Sequence, residues 1–179
     1  MKCPLDLWIY QEILYELKPD IVIETGTNEG GGAGFLASIM DSIGKGKVIA
    51  VDIEELENRP VHERISYLKG SSTADEITQK ISKMIEGSQV VLVILDSDHN
   101  MHHVLKEMNI YCDFVTPDSY MIVEDSNING HPIMPNWGDG PFEAIQEFLN
   151  KSDSFEIDKD REKYYMTFNP NGYLRKIKE

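Results

Sequence analysis

One short stretch, Ile21–Gly32, constrains the fold of this chain more than any other. Its sequence, IVIETGTNEGGG, begins with three β-branched residues, continues into an acid and ends in a glycine-rich turn. An unbroken branched run is typical of a strand buried on both faces, as in a parallel sheet. Gly26 and Gly30 allow a sharp turn and a close approach of the backbone to a ligand. Glu24 falls at the carboxyl end of the strand, where open α/β sheets bind ligands, so the stretch predicts a nucleoside-binding turn.

The spacing of this turn indicates which nucleoside it binds. A dinucleotide-binding turn has the pattern G-x-G-x-x-G, with pyrophosphate at the helix N-terminus. Here an acid, Glu24, stands where the first glycine is expected. A carboxylate repels phosphate and suits an ammonium group or a ribose hydroxyl. The turn resembles the first motif of class I S-adenosylmethionine-dependent methyltransferases; another nucleotide, or a structural turn without a ligand, are the alternatives.

The rest of the chain alternates predicted strands and helices. A helix over Pro4–Leu17 precedes five strand–helix units, and this order predicts parallel strands with right-handed connections. Two segments near the C-terminus predict an antiparallel hairpin that closes the sheet. The expected fold is α/β, a doubly wound, mostly parallel seven-stranded sheet of the Rossmann-like methyltransferase type, in one domain over residues 1–179. After the first strand, the predicted strands are Val48–Val51, Ile65–Leu68, Gln89–Leu95 and Tyr120–Val123, with the hairpin at Phe155–Ile157 and Tyr164–Phe168.

Composition excludes several classes of function. The 179 residues suffice for one domain with a substantial core. Since no apolar run approaches the ~20 residues needed to span a bilayer, and the first residues lack the features of a signal peptide, a cytoplasmic location is expected. The net charge of −14 argues against nucleic acid or an anionic membrane as partner and is compatible with a bound cation. A small-molecule ligand is therefore expected.

Three further segments complete the predicted nucleoside site. Asp52 ends the second strand, and an acid at this distance from the glycine turn commonly bonds ribose hydroxyls, although it can also cap a loop. Gly70–Ser72 follows the third strand and is expected at the adenine side. Ser72 or Thr73 is also a natural N-cap of the next helix, and both roles can hold together. The expected cofactor-binding residues are Glu24, Gly26, Thr27, Gly30, Asp52, Ser71, Ser72 and Asp96.

A second constellation of residues is acidic. Asp96 and Asp98 follow the fourth strand, and Glu124 and Asp125 follow the fifth. Because adjacent parallel strands end at the same edge of a sheet, these carboxylates should lie side by side, where they repel one another unless a cation joins them. Carboxylate oxygens suit Mg²⁺, or Ca²⁺ and Mn²⁺. We therefore predict a metal site formed by Asp96 or Asp98 with Glu124 and Asp125, while helix capping is the alternative for Asp98.

The histidines near these acids supply the candidate general base. His99 lies three residues after Asp96, and its ordinary pKa of ~6.5 suits proton abstraction from a metal-bound hydroxyl. His99 and Asp98 are thus the predicted catalytic residues, with His131 as the competing base. His99 and His103 are also spaced i, i+4, so a two-histidine, one-carboxylate iron site is a minor alternative.

Five segments together resemble the cephalosporin hydroxylase-like family, which includes rhamnosyl O-methyltransferases. The resemblance implies S-adenosylmethionine held by the glycine turn, Asp52 and Gly70–Ser72, and a divalent metal at Asp96 or Asp98 with the acidic pair. Magnesium-dependent catechol-type methyltransferases are similar but have Asp-Asn as the pair and Lys in place of His99. The segments are KCPLDLWIYQEIL (residues 2–14), ETG (24–26), LDSDH (95–99), VEDSNINGHP (123–132) and FNPNGYL (168–174).

The function predicted from these features is metal-dependent O-methyl transfer to a hydroxyl of a small molecule or sugar. The segment Asn127–Trp137, rich in Asn, Gly and Pro, is expected to cover the acceptor. A homo-oligomer is expected, with the amphipathic first helix as the candidate interface. The alternatives are a glycosyltransferase, in which Asp96-Ser97-Asp98 would hold metal and pyrophosphate, and a nucleoside-binding domain without catalysis.

Overall fold

A computed structural model describes residues 2–178 of the chain. These residues form a seven-stranded sheet with helices on both faces. The helices are α1 (Pro4–Leu17), α2 (Gly31–Ile43), α3 (Asp75–Met84), α4 (Met101–Tyr111) and α5 (Pro141–Lys151), with a 3₁₀ turn at Lys159–Glu162. The strands are β1 (Ile21–Thr25), β2 (Lys47–Asp52), β3 (Ile65–Lys69), β4 (Val91–Leu95), β5 (Tyr120–Val123), β6 (Phe155–Ile157) and β7 (Tyr173–Lys176).

The strand order is β3-β2-β1-β4-β5-β7-β6. The first five of these strands are parallel, and β7 runs antiparallel between β5 and β6. From β1 the chain adds β2 and then β3 on one side. It then crosses back and adds β4 on the other side of β1. Open α/β sheets bind ligands at such a reversal point. The predicted doubly wound fold is confirmed.

The register of the parallel strands places the predicted site residues at one edge. Thr25 at the end of β1 pairs with Val51 on one side and Leu95 on the other, and Leu95 pairs with Val123. The carboxyl ends of these four strands therefore lie side by side at one edge of the sheet. Glu24, Asp52, Asp96 and Glu124 lie within one residue of these paired positions, and Asp125 lies two residues after Val123.

Both faces of the sheet are covered by apolar packing. Ile21 and Ile23 of β1 belong to the core under α3, α4 and α5, whereas Val22 belongs to the core under α1 and α2. Successive strand residues point to opposite faces. The strand can thus be apolar without alternation only because both faces are buried, as the branched run predicted.

The first helix, α1, has the bounds that its apolar periodicity predicted. Ile9 and Ile13 are buried on its inner side, while Trp8 and Tyr15 are exposed. Pro4 occupies the first helical turn, where the missing N–H costs nothing. Among residues 2–178, no helix is long and apolar enough to cross a bilayer.

The C-terminal antiparallel pair is present, but one of its strands was predicted in the wrong place. Phe155–Ile157 is β6 as expected, whereas Tyr164–Phe168 forms no strand and its partner is instead Tyr173–Lys176. Tyr165 is fully exposed, while Tyr173 and Leu174 are fully buried. The turn at residues 169–172 therefore precedes the last strand, because burial between β5 and β6 selects the apolar Tyr-Leu pair.

Candidate active site

A cavity of 740 Å³ opens at the carboxyl edge of the sheet, between the turn after β1 and the ends of β2, β3 and β4. Its volume is that of a typical small-molecule site. Of the residues predicted for the site, Gly30 and Glu124 lie outside the lining. The others that line it are Glu24, Gly26, Thr27, Asp52, Ser71, Ser72, Asp96, Asp98, His99 and Asp125.

The turn after β1 is hydrogen-bonded to the end of β2 and packs closely against the end of β4. Gly26 has a φ of +72°, and its N–H donates to the carbonyl of Val51 at 2.8 Å. The carboxylate of Glu24 is buried and accepts a hydrogen bond from the hydroxyl of Thr27 at 2.8 Å. Gly30 also has a positive φ, but it packs under the side chains of Tyr67 and Pro60. The conformational freedom of Gly30 therefore shapes the backbone of the turn, although Gly30 itself does not line the cavity.

Replacing Gly26 with Ala is expected to lower the free energy of unfolding by about 3 kcal/mol, since strain and overlap combine there. A Cβ at Gly26 would lie 1.9 Å from the backbone oxygen of Asp96, and its φ is unfavourable for alanine. Gly31→Ala is the matched control, because a Cβ there meets nothing within 4 Å. Urea unfolding of both variants checks this; equal losses of stability would contradict it.

Asp52 at the end of β2 is both a loop cap and part of the cavity wall. One carboxylate oxygen accepts the N–H of Asn28 at 2.7 Å, and the other accepts the N–H of Glu54 at 3.0 Å. The first bond ties the glycine turn to β2. The two roles considered for this acid are compatible, because the carboxylate still faces the cavity.

Ser71 and Ser72 lie at the far end of the cavity from the acidic pair. The N-cap of α3 is Ala74, without a side-chain cap, so the expectation that Ser72 or Thr73 caps this helix is wrong. The carbonyl of Ser72 instead accepts the hydroxyl of Tyr111 at 2.9 Å. This contact fixes the Ser72 backbone against α4 and leaves the segment on the cavity wall.

The acidic half of the site contains a cluster suited to a cation. One ligand atom from each of Asp96, His99 and Asp125 lies within 4.8 Å of the others. His99 Nε2 is 2.6 Å from Asp125 Oδ2 and 4.0 Å from Asp96 Oδ1. The hydrogen bond to Asp125 raises the pKa of His99 although its partial burial opposes this. Carboxylate and imidazole groups in this arrangement can hold a divalent metal.

Lys2 is a site residue that the sequence analysis missed. Its Nζ lies 2.5 Å from Glu124 Oε1, 2.9 Å from Asp96 Oδ2 and 3.3 Å from Glu24 Oε1. The ammonium group thus joins the acid of the glycine turn to the acids after β4 and β5. Lys2 belongs to one of the segments that carry the family resemblance, which is the available sequence signal. Nothing in the local pattern indicates where a flexible lysine side chain ends.

The position of the Lys2 ammonium among these carboxylates shows that they suit a positive charge. Burial raises the pKa of Glu124 to about 8, and Lys2 opposes this shift. Burial disfavours the charge on Lys2, but Glu124, Glu24 and Asp96 together raise its pKa above the ordinary value. Because buried carboxylates at this spacing gather a positive charge, the oxygen-rich set fits a hard dication such as Mg²⁺.

Asp98 lies apart from this cluster. Its side chain is exposed, and one oxygen accepts the N–H of Asn100 at 2.8 Å just before α4. Asn100 is the N-cap of α4. Asp98 therefore bonds the backbone just before the helix without being its N-cap, so the capping alternative for this acid is wrong. Asp96 is the acid from this loop that lies in the cluster with Asp125.

The other histidines are held by different partners. His103 Nε2 is 3.7 Å from the buried carboxylate of Glu107 and 3.4 Å from the hydroxyl of Ser72, at the far end of the cavity. His131 Nε2 is 2.8 Å from Glu143, and its ring stacks on Phe142. The structure therefore brings neither of them to the acidic cluster, where His99 lies.

Asp125 of the acidic pair is held by a hydrogen bond from the segment at residues 168–174. Asn169 is buried; its side-chain oxygen accepts the N–H of Asp125 at 3.1 Å, and its amide donates to the hydroxyl of Tyr10 at 3.0 Å. Asp125 has a φ of +54°, a strained value for a non-glycine residue. The bond from Asn169 helps to hold that conformation, so the terminal FNPNGYL segment positions a site residue.

The connection from Ser126 to Asp139 is irregular and is tied to the start of α5. The carboxylate of Glu143 accepts hydrogen bonds from the Asn129 amide at 3.1 Å and from the N–H of Gly140 at 2.7 Å. Ile133, Met134 and Trp137 on this loop are exposed. The loop thus presents apolar side chains on a braced backbone, and it starts directly after Asp125.

The fold is that of the class I S-adenosylmethionine-dependent methyltransferases. Within that class, the family model "Rhamnosyl O-methyltransferase/CmcI" matches residues 1–177. The chain belongs to this family, and the resemblance predicted from its segments is confirmed.

Individual relatives agree with this assignment. A rhamnosyl O-methyltransferase of Mycobacterium leprae is 42% identical over 180 residues, covering 97% of this chain and 79% of the relative. A CmcI structure with magnesium and S-adenosylmethionine superposes with a TM-score of 0.71 at 20% identity, covering 99% of this chain and 73% of that one. The methyltransferase MycE, in complex with magnesium, S-adenosylhomocysteine and mycinamycin VI, gives 0.58 at 20% identity, with coverage of 79% and 40%.

Proposed function

We propose that this protein transfers a methyl group from S-adenosylmethionine to a hydroxyl of a sugar or small-molecule acceptor, with a divalent metal, Mg²⁺, at the acceptor side. One observation carries the proposal: the nucleoside cavity and the acidic cluster share one space. Asp96 and Asp125 line the same cavity as the glycine turn. A methyl group held by the donor would therefore face the cluster without crossing the protein.

The donor would lie along the cavity from the glycine turn to Ser72. Asp52 faces the cavity where ribose hydroxyls would lie, and Ser71 and Ser72 form the adenine end. Glu24 and Asp96 supply negative charge for the ammonium and sulfonium groups of the methionyl part. The CmcI relative with bound S-adenosylmethionine supports this use of the fold.

Asp96, Glu124 and Asp125 would hold the metal. When bound, a divalent metal there lowers the pKa of an acceptor hydroxyl and fixes its oxygen. Three carboxylates from two adjacent strand ends leave coordination positions for that hydroxyl and for water. MycE and CmcI, whose structures include magnesium, support this proposal.

His99 would accept the hydroxyl proton at Nδ1, because its Nε2 donates to Asp125 Oδ2. Asp125 orients the imidazole ring by the 2.6 Å contact, and a carboxylate partner stabilises the imidazolium that forms. The hydroxyl oxygen then forms its bond to the methyl carbon as the carbon–sulfur bond breaks and the electron pair stays on sulfur. The protein's main contribution is alignment of the two reactants.

The acceptor would lie under the loop from Ser126 to Asp139. The loop starts at the proposed metal ligand Asp125, and Trp137 is available to pack against a sugar or ring. The name of the mycobacterial relatives, rhamnosyl O-methyltransferase, supports a sugar hydroxyl as the acceptor. The glycosyltransferase alternative is less favoured, because Asp98 bonds the N–H of Asn100 and does not converge with Asp96 on a cation.

Calorimetry tests this function directly. S-adenosylmethionine should bind at one site per chain both with and without Mg²⁺, while methyl transfer to a panel of sugar and phenol acceptors should stop when the metal is chelated. The donor carries a labelled methyl group, so that any methylated acceptor is detected. UDP-sugars are the control ligands and should not bind. Failure of the donor to bind under both conditions would refute the proposal.

A further inference from the structure

Among residues 2–178, Lys2 is the only Lys or Arg that lines the cavity. The same lining contains seven acidic residues, which are Glu24, Glu29, Asp52, Glu54, Asp96, Asp98 and Asp125. The ammonium of Lys2 contacts two of them, Glu24 and Asp96, whereas Asp52 lies 3.7 Å from Arg59. Lys2 is also well placed to stay there. Cys3 is buried and α1 begins at Pro4, so the backbone beside Lys2 is anchored while its side chain reaches inward.

The stem of Lys2 depends on a glycine of the donor turn. A Cβ added at Gly32 would lie 2.6 Å from Lys2 Cε and 2.1 Å from Glu24 Oε1. The missing side chain at Gly32 therefore leaves the space in which the lysine stem and the Glu24 carboxylate meet. The ion pair between Lys2 and Glu24 is thus built into the packing of the first turn of α2.

The carboxylates that Lys2 holds are two of the three that would hold the proposed metal. Glu124 Oε1 and Asp96 Oδ2 lie 2.5 and 2.9 Å from its Nζ. Metal–oxygen distances are about 2.1 Å for Mg²⁺, and its octahedral geometry tolerates little crowding. Since an ammonium group and a dication repel each other, both cannot sit on these two oxygens at once.

We propose that Lys2 is a positioning residue that exchanges places with the metal. In the metal-free enzyme its ammonium holds the carboxylates of Asp96 and Glu124 together, which would otherwise repel. On metal binding it gives up both oxygens and keeps its contact with Glu24 at the donor side. This inference rests on the proposed metal-dependent function, and it makes Lys2 the link between the donor half and the metal half of the site.

The test is a Mn²⁺ titration of the donor-free protein, followed by electron paramagnetic resonance. Lys2→Met removes the competing charge and keeps most of the stem, so Mn²⁺ should bind at least about fivefold more tightly, within the usual range of coupling between sites. Lys2→Arg retains the charge and should stay within about twofold of the wild type. Binding of S-adenosylhomocysteine without metal shows that each variant retains its donor site.

Unchanged or weaker Mn²⁺ binding by Lys2→Met would overturn the exchange and leave the proposed function standing. If the wild-type protein bound no Mn²⁺ at all, both proposals would fall. A second measurement covers a variant that does not fold. Acetylation of Lys2 in the wild-type protein, read by peptide mass spectrometry, should rise at least about fivefold when Mg²⁺ is added, if coupling is in its usual range; constant labelling would refute the exchange.

Discussion

Replacing Asp96 with Asn is expected to lower kcat at least about 100-fold, because Asp96 is a proposed metal ligand and the loss of such a ligand removes about 3 kcal/mol or more of transition-state stabilisation. Asp96 follows β4, lines the cavity and lies in the cluster with His99 and Asp125. The amide keeps the size of the side chain and removes its charge. The measurement is methyl transfer at saturating donor, with an acceptor identified from the sugar and phenol panel, together with Mn²⁺ affinity.

Asp98→Asn is the matched control for this prediction. Asp98 lies two residues further along the same loop, is exposed and bonds the N–H of Asn100, which an amide oxygen can also accept. We expect kcat to change by less than about fivefold, since substitutions of exposed side chains outside the acidic cluster usually have small effects. Similar losses in the two variants would show that the metal site is assigned to the wrong acid.

Replacing His99 with Ala is expected to lower kcat by about 100-fold to 10,000-fold, the usual contribution of a positioned general base. The donor KM should change little, because the imidazole lies at the acidic end of the cavity and away from Ser71 and Ser72. Added imidazole should restore part of the activity by occupying the space that the variant leaves. Steady-state kinetics with and without imidazole provide both readouts.

His102→Ala separates this role from a general effect on α4. His102 lies three residues later, in the first turn of the same helix, and its side chain is exposed. It should leave kcat within about twofold, as exposed substitutions away from special features usually do. If His99→Ala retained full activity, or if imidazole rescued neither kcat nor kcat/KM, the proton would have to leave by another route.

Local pattern was sufficient for much of this fold and for half of the site. The apolar periodicity of residues 4–17 and the branched run into Glu24 each depend on neighbours a few positions away, and both elements formed where predicted. The end of a parallel strand is a position that topology alone defines. Asp52, Asp96 and the acidic pair could therefore be placed at one edge before any side chain was located.

The remaining features depend on contacts between distant parts of the chain. Tyr173–Lys176 is a strand because it pairs between β5 and β6. The sequence of these four residues alone does not predict that pairing. Lys2 contacts Glu124, which is 122 positions away in the sequence. Because the lysine side chain has four rotatable bonds, the neighbouring residues do not predict which group its ammonium contacts. Asp96 and Asp98 are equivalent by spacing, and only the start of α4 separates their roles.

The position of β7 has a consequence for the order in which the molecule can be assembled during synthesis. Because β7 lies inside the sheet, β6 cannot join until Tyr173–Lys176 has emerged from the ribosome. Asn169, which braces Asp125, emerges only shortly before that strand. A nascent chain can therefore complete its nucleoside half early, whereas the half that contains the acidic cluster matures only when residues 169–176 have emerged.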